Sequence, residues 1–355
     1  MTETGHIPTA NPAARPSEGK RRVRSVAFLA LFAIAFLSLG WSAYWYAAHR
    51  MAISELRSAL AFESREGRDW TCAKLLTGGY PFSVDFDCEG LVVTTRIGER
   101  SIVAHARKAL VHAPLYTPKR VTIDLTDPAD ILVDGAQVRV KWSKLQLSAR
   151  GLPDRLDRFS IAGTDLAIHL AADSVDAAAT IAALLINLRH TPGADDAPLN
   201  FEASLAGIES SVLDAMTAGA DRATFAAIGS VTHANKLAGG SLASRMDSWR
   251  EAGGRVSANL SFVKGRIAAQ AEGSVGLDQG RRLDGKFDLR MLNSGAPLAD
   301  LAHRFGVRGP AASLLVGSLI NPDAATGEAR LAISFENGRL DLGPFKQIIA
   351  LPPLY

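Results

Sequence analysis

The residues able to do chemistry are plentiful here but scattered. The eight histidines fall at His6, His49, His105, His112, His169, His190, His233 and His303. None belongs to an H-E-x-x-H pair, the spacing that sets two imidazoles over a general base on one helix face, so a metalloprotease centre has no support. No G-x-S-x-G elbow presents a serine nucleophile, so an α/β-hydrolase site has none either. Gly280 to Lys286 matches G-x-x-x-x-G-K, but Phe287 follows where a phosphate-binding loop needs Ser or Thr for magnesium. Its flanks alternate as strand, turn, strand, with no helix N-terminus to hold phosphate. Arg281 and Arg282 therefore read as a solvated turn. His105 and His112 flank one strand, and His169 lies between Ile168 and Leu170 in another; all three read as surface or partly buried residues. No catalytic residue, metal ligand or cofactor is assigned, and the chain reads as non-enzymatic.

Cys72 and Cys88 are the only cysteines. Gly78-Gly79-Tyr80-Pro81 between them is a strong turn signal. A redox pair would call for C-x-x-C spacing, and metal binding for neighbouring histidines. In an oxidising compartment the pair reads as a structural disulfide, whose loop of about 15 residues would be worth ~3 kcal/mol.

The elements that carry these residues follow from composition. With 39 Lys plus Arg against 36 Asp plus Glu, the formal charge of the 355 residues is +3, too balanced for a dedicated nucleic-acid binder. A hydrophobic fraction of 47% excludes disorder as the main state. Residues 1–25 read as a disordered tail ending in a basic cluster, Lys20, Arg21, Arg22 and Arg24. Val26 to Ala48 has no charged residue, and as a helix would extend roughly 34 Å, enough to cross a hydrocarbon core of ~30 Å. Trp41, Tyr44, Trp45 and Tyr46 gather at its far end, where amphipathic rings favour the membrane interface. The cluster keeps the N-terminus cytoplasmic, so the remainder is expected outside, on a single-pass anchor in the inner membrane. A cleaved signal peptide is the alternative; the length of the apolar run and the aromatics at the cleavage position oppose it.

Past the anchor, Met51 to Phe62 reads as a helical continuation. Period-two alternation then dominates: Phe82, Val84, Phe86 and Cys88; Val121, Ile123 and Leu125; Leu166, Ile168 and Leu170. Asp134-Gly135 and Asn337-Gly338 sit between alternating segments as tight hairpin turns. Ala177 to Leu188 reads as a helix capped by Ser174 or Asp176, and Thr191 to Pro198 as a linker. Further helices are expected at Ser241 to Ala252, Pro297 to Phe305 and Ala311 to Leu319. The sum is an α+β chain, mostly antiparallel β, with one transmembrane helix. Beyond the anchor, residues 49–190 and 199–355 form two β-rich halves of an exported body.

Several segments carry a family resemblance. They are the aromatic-rich anchor with its following helix, Gly79-Tyr80-Pro81-Phe82, and Ala113-Pro114-Leu115-Tyr116-Thr117-Pro118 before the strand Val121 to Leu125. The Trp249 to Met291 stretch, with its Gly-Gly turn and Gly285 to Leu289, adds to them, as does Gly338-Arg339-Leu340-Asp341-Leu342-Gly343-Pro344 with Pro352-Pro353-Leu354. From about Phe36 onward the chain resembles the bacterial family catalogued as domain of unknown function 2125. That family is distantly similar to AsmA-like envelope proteins. The resemblance implies a curved, groove-like sheet and a role in envelope lipid handling. The expected partners are the bilayer, through the anchor, and a lipid or envelope protein; nucleic acid is not among them. The alternatives are a structural or interaction module with a closed core, or an envelope hydrolase with a dispersed site.

Overall fold

The computed structural model describes residues 18–97, 100–117, 119–151, 156–172, 175–191, 197–217, 219–237, 241–292, 328–342 and 345–355. A 48-residue helix, α1 (Glu18–Arg65), leads into β1 (Arg68–Gly78). Then come β2 (Ser83–Ile97), β3 (Arg100–Pro114), β4 (Arg120–Val133), β5 (Ala136–Lys141), β6 (Lys144–Arg150), β7 (Arg158–Ala172), β8 (Val175–His190) and β9 (Leu199–Ser210). A short helix α2 (Ser211–Thr217) precedes β10 (Ala223–Val231), and α3 (Leu242–Glu251) precedes β11 (Val256–Lys264). The chain continues through β12 (Ile267–Leu277), β13 (Leu283–Leu292), β14 (Glu328–Glu336), β15 (Arg339–Leu342) and β16 (Phe345–Ala350).

The sixteen strands among the described residues join one antiparallel sheet in nearly sequential order; β5 and β6 share the place between β4 and β7. The two tight turns form as expected, with positive φ at Asp134, Gly135, Asn337 and Gly338. β8 and β9, on either side of the 191–198 segment, are neighbours in the sheet.

Cross-strand register sorts the side chains by polarity. One rung runs Phe86, Val111, Ile123, Leu147, Ile161, Ile186, Ala203, Ala227, Leu260, Ala271, Leu289, Leu331, apolar at every step from β2 to β14. The neighbouring rung on the other face begins Asp85, His112, Thr122, Ser148, Ser160, Asn187, Glu202. Side chains alternate sides along a strand, so one face of the sheet is apolar and the other polar.

The alternation changes phase inside the strands. Cys72 and Leu75, Cys88 and Leu91, and Ala106 and Ala109 are each three apart, yet all line the same apolar cavity. Pairing lapses between them at Ala73, Gly90 and Arg107, and the register shifts against β4. A second line crosses β7 to β9 at Asp165, Ala182 and Gly207, with a shift against β10. Gly90 and Gly207 take φ of 64 and 65 and face Ala73 and Ala182, so both halves use the same small-residue crossing.

This phase change corrects the helix expected over Ala177 to Leu188. Ala177, Ile181, Leu184 and Leu188 follow helical i, i+4, i+7, i+11 spacing only because the strand flips phase at Ala182. The segment is β8, paired on both sides, and those ladders override the helix propensity of its alanines. The tail is corrected at its end: 18–25 are helical, because α1 extends from the apolar stretch through good helix formers such as Lys and Arg. Residues 1–17 and the helices expected at Pro297 to Phe305 and Ala311 to Leu319 lie outside the described residues.

Replacing Gly207 by Val should lower the thermal midpoint. A β-branched residue at this φ costs ~1–3 kcal/mol, and its Cβ would stand 2.8 Å from that of Ala182. An unchanged midpoint by circular dichroism would refute the crossing's structural role.

Candidate apolar binding face

The apolar face is the largest feature of the described structure without a complete cover. The described helices that pack on strands are α1, against β1 and β2, and α2, against β8 and β9. No large side chain on the sheet is fully buried. On β8 the apolar-face residues Ile181, Leu184, Ile186 and Leu188 are all half-buried, whereas Gly163 and Leu166 on β7 are buried.

Where α1 crosses the sheet it roofs a cavity of about 520 Å³. Leu56 and Leu60 form the roof, and Phe86, Ala109, Val111 and Leu125 belong to the floor. That volume lies within the ~300–1,000 Å³ of small-molecule sites. Cys72 and Cys88 line it and are joined as a disulfide, as their spacing suggested. The bond ties edge strand β1 to β2.

The sequence-identified aromatics divide into two pairs. Trp41 Nε1 donates to Pro81 O at 2.8 Å, and Trp45 Nε1 donates to Ser83 O at 2.6 Å. Trp45 also meets Tyr80 edge-on at 5.3 Å and stacks on His49. These two tryptophans fasten the helix to the β1–β2 turn. Tyr44 and Tyr46 remain exposed, with the Arg50 guanidinium over the Tyr46 ring. Lys20, Arg21, Arg22 and Arg24 lie in the first turns of α1. The helix carries a stretch long and apolar enough to cross a membrane, with none of its best window buried.

The polar face holds cross-strand ion pairs and histidine–carboxylate contacts. Lys108 reaches Asp87 at 2.6 Å, His112 Nδ1 lies 2.7 Å from Asp85, Arg139 meets Asp130 at 2.6 Å, and His169 Nε2 lies 2.9 Å from Asp176. Opposite charges across strands contribute roughly 0.2–1 kcal/mol per pair. Among the described residues no group of three or more His, Cys, Asp or Glu is placed to hold a metal.

The Gly280 to Lys286 segment is a turn whose arginines are solvent-accessible, as expected, and also engaged with carboxylates. Asp278 accepts from the Arg282 backbone N–H and Nε, both at 2.9 Å. Arg281, at φ 61, donates to Asp247 of α3 at 2.7 Å and lies over the Tyr355 ring. Tyr355 Oη donates to the same carboxylate at 2.9 Å. A contact 108 residues apart leaves no local mark in the sequence. Burial pushes the Asp247 carboxyl up, but the Tyr355 hydroxyl and Arg281 outweigh it and hold the group below the usual carboxylate range. Burial, with the Asp247 charge, raises the Tyr355 phenol.

A carboxyl with a depressed folded pKa stabilises the fold above the ordinary carboxylate range, and that contribution vanishes as pH falls through the folded value. Asp247→Asn should therefore unfold more easily than the parent at neutral pH and converge with it toward about pH 2. A constant gap in thermal midpoint across that range would show that Asp247 carries no linkage.

A family model described as an uncharacterized protein conserved in bacteria (DUF2125) matches residues 45–348. No curated protein and no solved structure matches the chain.

Proposed function

The chain belongs to the DUF2125 family of uncharacterized bacterial proteins, and we propose that it is an envelope protein that holds lipid acyl chains on the apolar face of its sheet. The observation that carries this reading is the unbroken apolar rung from β2 to β14, with the cavity between α1 and β1–β4 as its best-enclosed part. Acyl chains leaving water for such a surface gain ~0.8 kcal/mol per CH₂, so binding requires no catalytic group. The lines of broken pairing are where a sheet of this kind bends, since bulges bend and twist the strands that hold them. Bending would turn the apolar face inward as a groove, the plan of the AsmA-like proteins.

The anchor is α1, inserted in the inner membrane with Lys20 to Arg24 cytoplasmic and the sheet on the periplasmic side. The Cys72–Cys88 disulfide supports an oxidising compartment for the sheet. The protein acts as a non-enzymatic binder or conduit. A structural module whose apolar face meets another protein is the alternative, separated by the experiment below.

Mass spectrometry of the full chain extracted in mild detergent should find co-purifying phospholipid. Ala104→Trp with Ala109→Trp fills the cavity floor and should reduce that lipid severalfold while the chain still folds. Equal lipid in parent and variant would assign it to the α1 surface alone, and no lipid in the parent would favour the structural module.

A further inference from the structure

The geometry of α1 and the first hairpin points to a second membrane contact. From Trp45 to Arg65 the helix rises ~30 Å. The 11 residues of β1 then run back ~35 Å. The β1–β2 turn therefore returns to the level of the helix aromatics. Three contacts fix it there: the Trp41 and Trp45 indoles on the Pro81 and Ser83 carbonyls, and the Ser42 hydroxyl 2.9 Å from Tyr80 Oη. The β3–β4 turn is tied alongside, with Leu115 N–H donating to Phe82 O at 2.9 Å.

The two turns present rings to the outside. Tyr80 is 59% exposed, Phe82 65% and Tyr116 75%. Positions 79–82 and 115–117 contain no charged residue, Lys119 and Arg120 follow the second turn in sequence, and Arg50 on α1 lies over the Tyr46 ring. Rings with an apolar body and a polar edge, next to cations, suit the interfacial layer of a bilayer. Tyr44 and Tyr46, at the end of the apolar stretch of α1, are exposed as well.

We propose that the β1–β2 and β3–β4 turns, through Tyr80, Phe82 and Tyr116, dock into the interfacial layer of the bilayer that α1 spans. The proposal rests on α1 being a membrane anchor and is independent of lipid binding by the sheet. Docking sets the strands with these turns against the membrane, so the apolar face begins at the lipid surface, where Val84 and Phe86 form its first rungs.

The test uses the full chain in phosphatidylcholine–phosphatidylglycerol vesicles. Phe82→Cys and Tyr116→Cys are labelled singly with an environment-sensitive fluorophore; the native cysteines are blocked by their disulfide. Phe32→Cys reports the anchor, and Ser101→Cys the far end of β3. A lipid carrying a shallow quencher should quench positions 82 and 116 roughly threefold or more above position 101. Quenching at 32 by a deep quencher with 82 and 116 no different from 101 overturns the docking and leaves the anchor standing. No quenching at 32 overturns the anchor, and the docking with it.

Discussion

A sheet with one apolar and one charged face tolerates no slip in register, because a shift of one residue moves every apolar side chain of a strand to the wrong side. The rung from Phe86 to Leu331 keeps that phase through twelve strands, from β4 passing to β6 rather than β5. Where the strands change phase they do so together. Ala73, Gly90 and Arg107 lie abreast in β1 to β3, as do Asp165, Ala182 and Gly207 in β7 to β9. The register shifts one strand later in each case, at β4 and at β10. Neighbouring strands must cross the line at the same height, or an apolar side chain would face a charged one. Glycine at positive φ opposite alanine in both halves meets the steric side of that demand.

The opposite edge of the problem is β1, which is exposed along most of its length and has no strand on its outer side among the described residues. Unpaired edges invite pairing with other chains. Here the ties concentrate on that strand and its turns. α1 packs along it, Glu63 pairs with Arg68 at 2.6 Å where helix becomes strand, and the disulfide fixes its middle. The two indole hydrogen bonds hold its far end. The helix that leads to the sheet is thus also the cover of the edge most in need of one.

Much of this was legible in the sequence, and the failures have two causes. Charge-free Val26 to Ala48, the Asp134-Gly135 and Asn337-Gly338 turns and the cysteine pair each announce themselves over a few residues. The Ser241 to Ala252 helix did so as well: α3 spans Leu242–Glu251, with Ser241 capping the Ser244 N–H and Trp249 buried. Alternation identified strands wherever no phase change intervened. It failed at β8, where the flip at Ala182 imitates a helical period. Long-range contacts failed in another way. Nothing near Trp41 signals a bond to Pro81, and nothing near Asp247 signals Tyr355. Trp41 and Trp45 sit one turn apart, so they share a helix face. That spacing signals one target for the pair, but interface preference accounts for the same two residues without it.

The two roles of the tryptophans are compatible for a physical reason. An indole has a single N–H donor, and at a membrane interface that donor must find an acceptor while the ring stays among apolar groups. Water and lipid headgroups usually supply the acceptor. In this protein the carbonyls of the β1–β2 turn supply it for Trp41 and Trp45, so the proposed interface position and the observed tie to the sheet would be met by one side chain each. Tyr44 and Tyr46 are exposed. The division sets the sheet's position relative to the helix at the one level where the chain passes from apolar to polar surroundings. The apolar face of the sheet begins beside this turn with Val84 and Phe86, and so starts next to the end of the apolar stretch of α1.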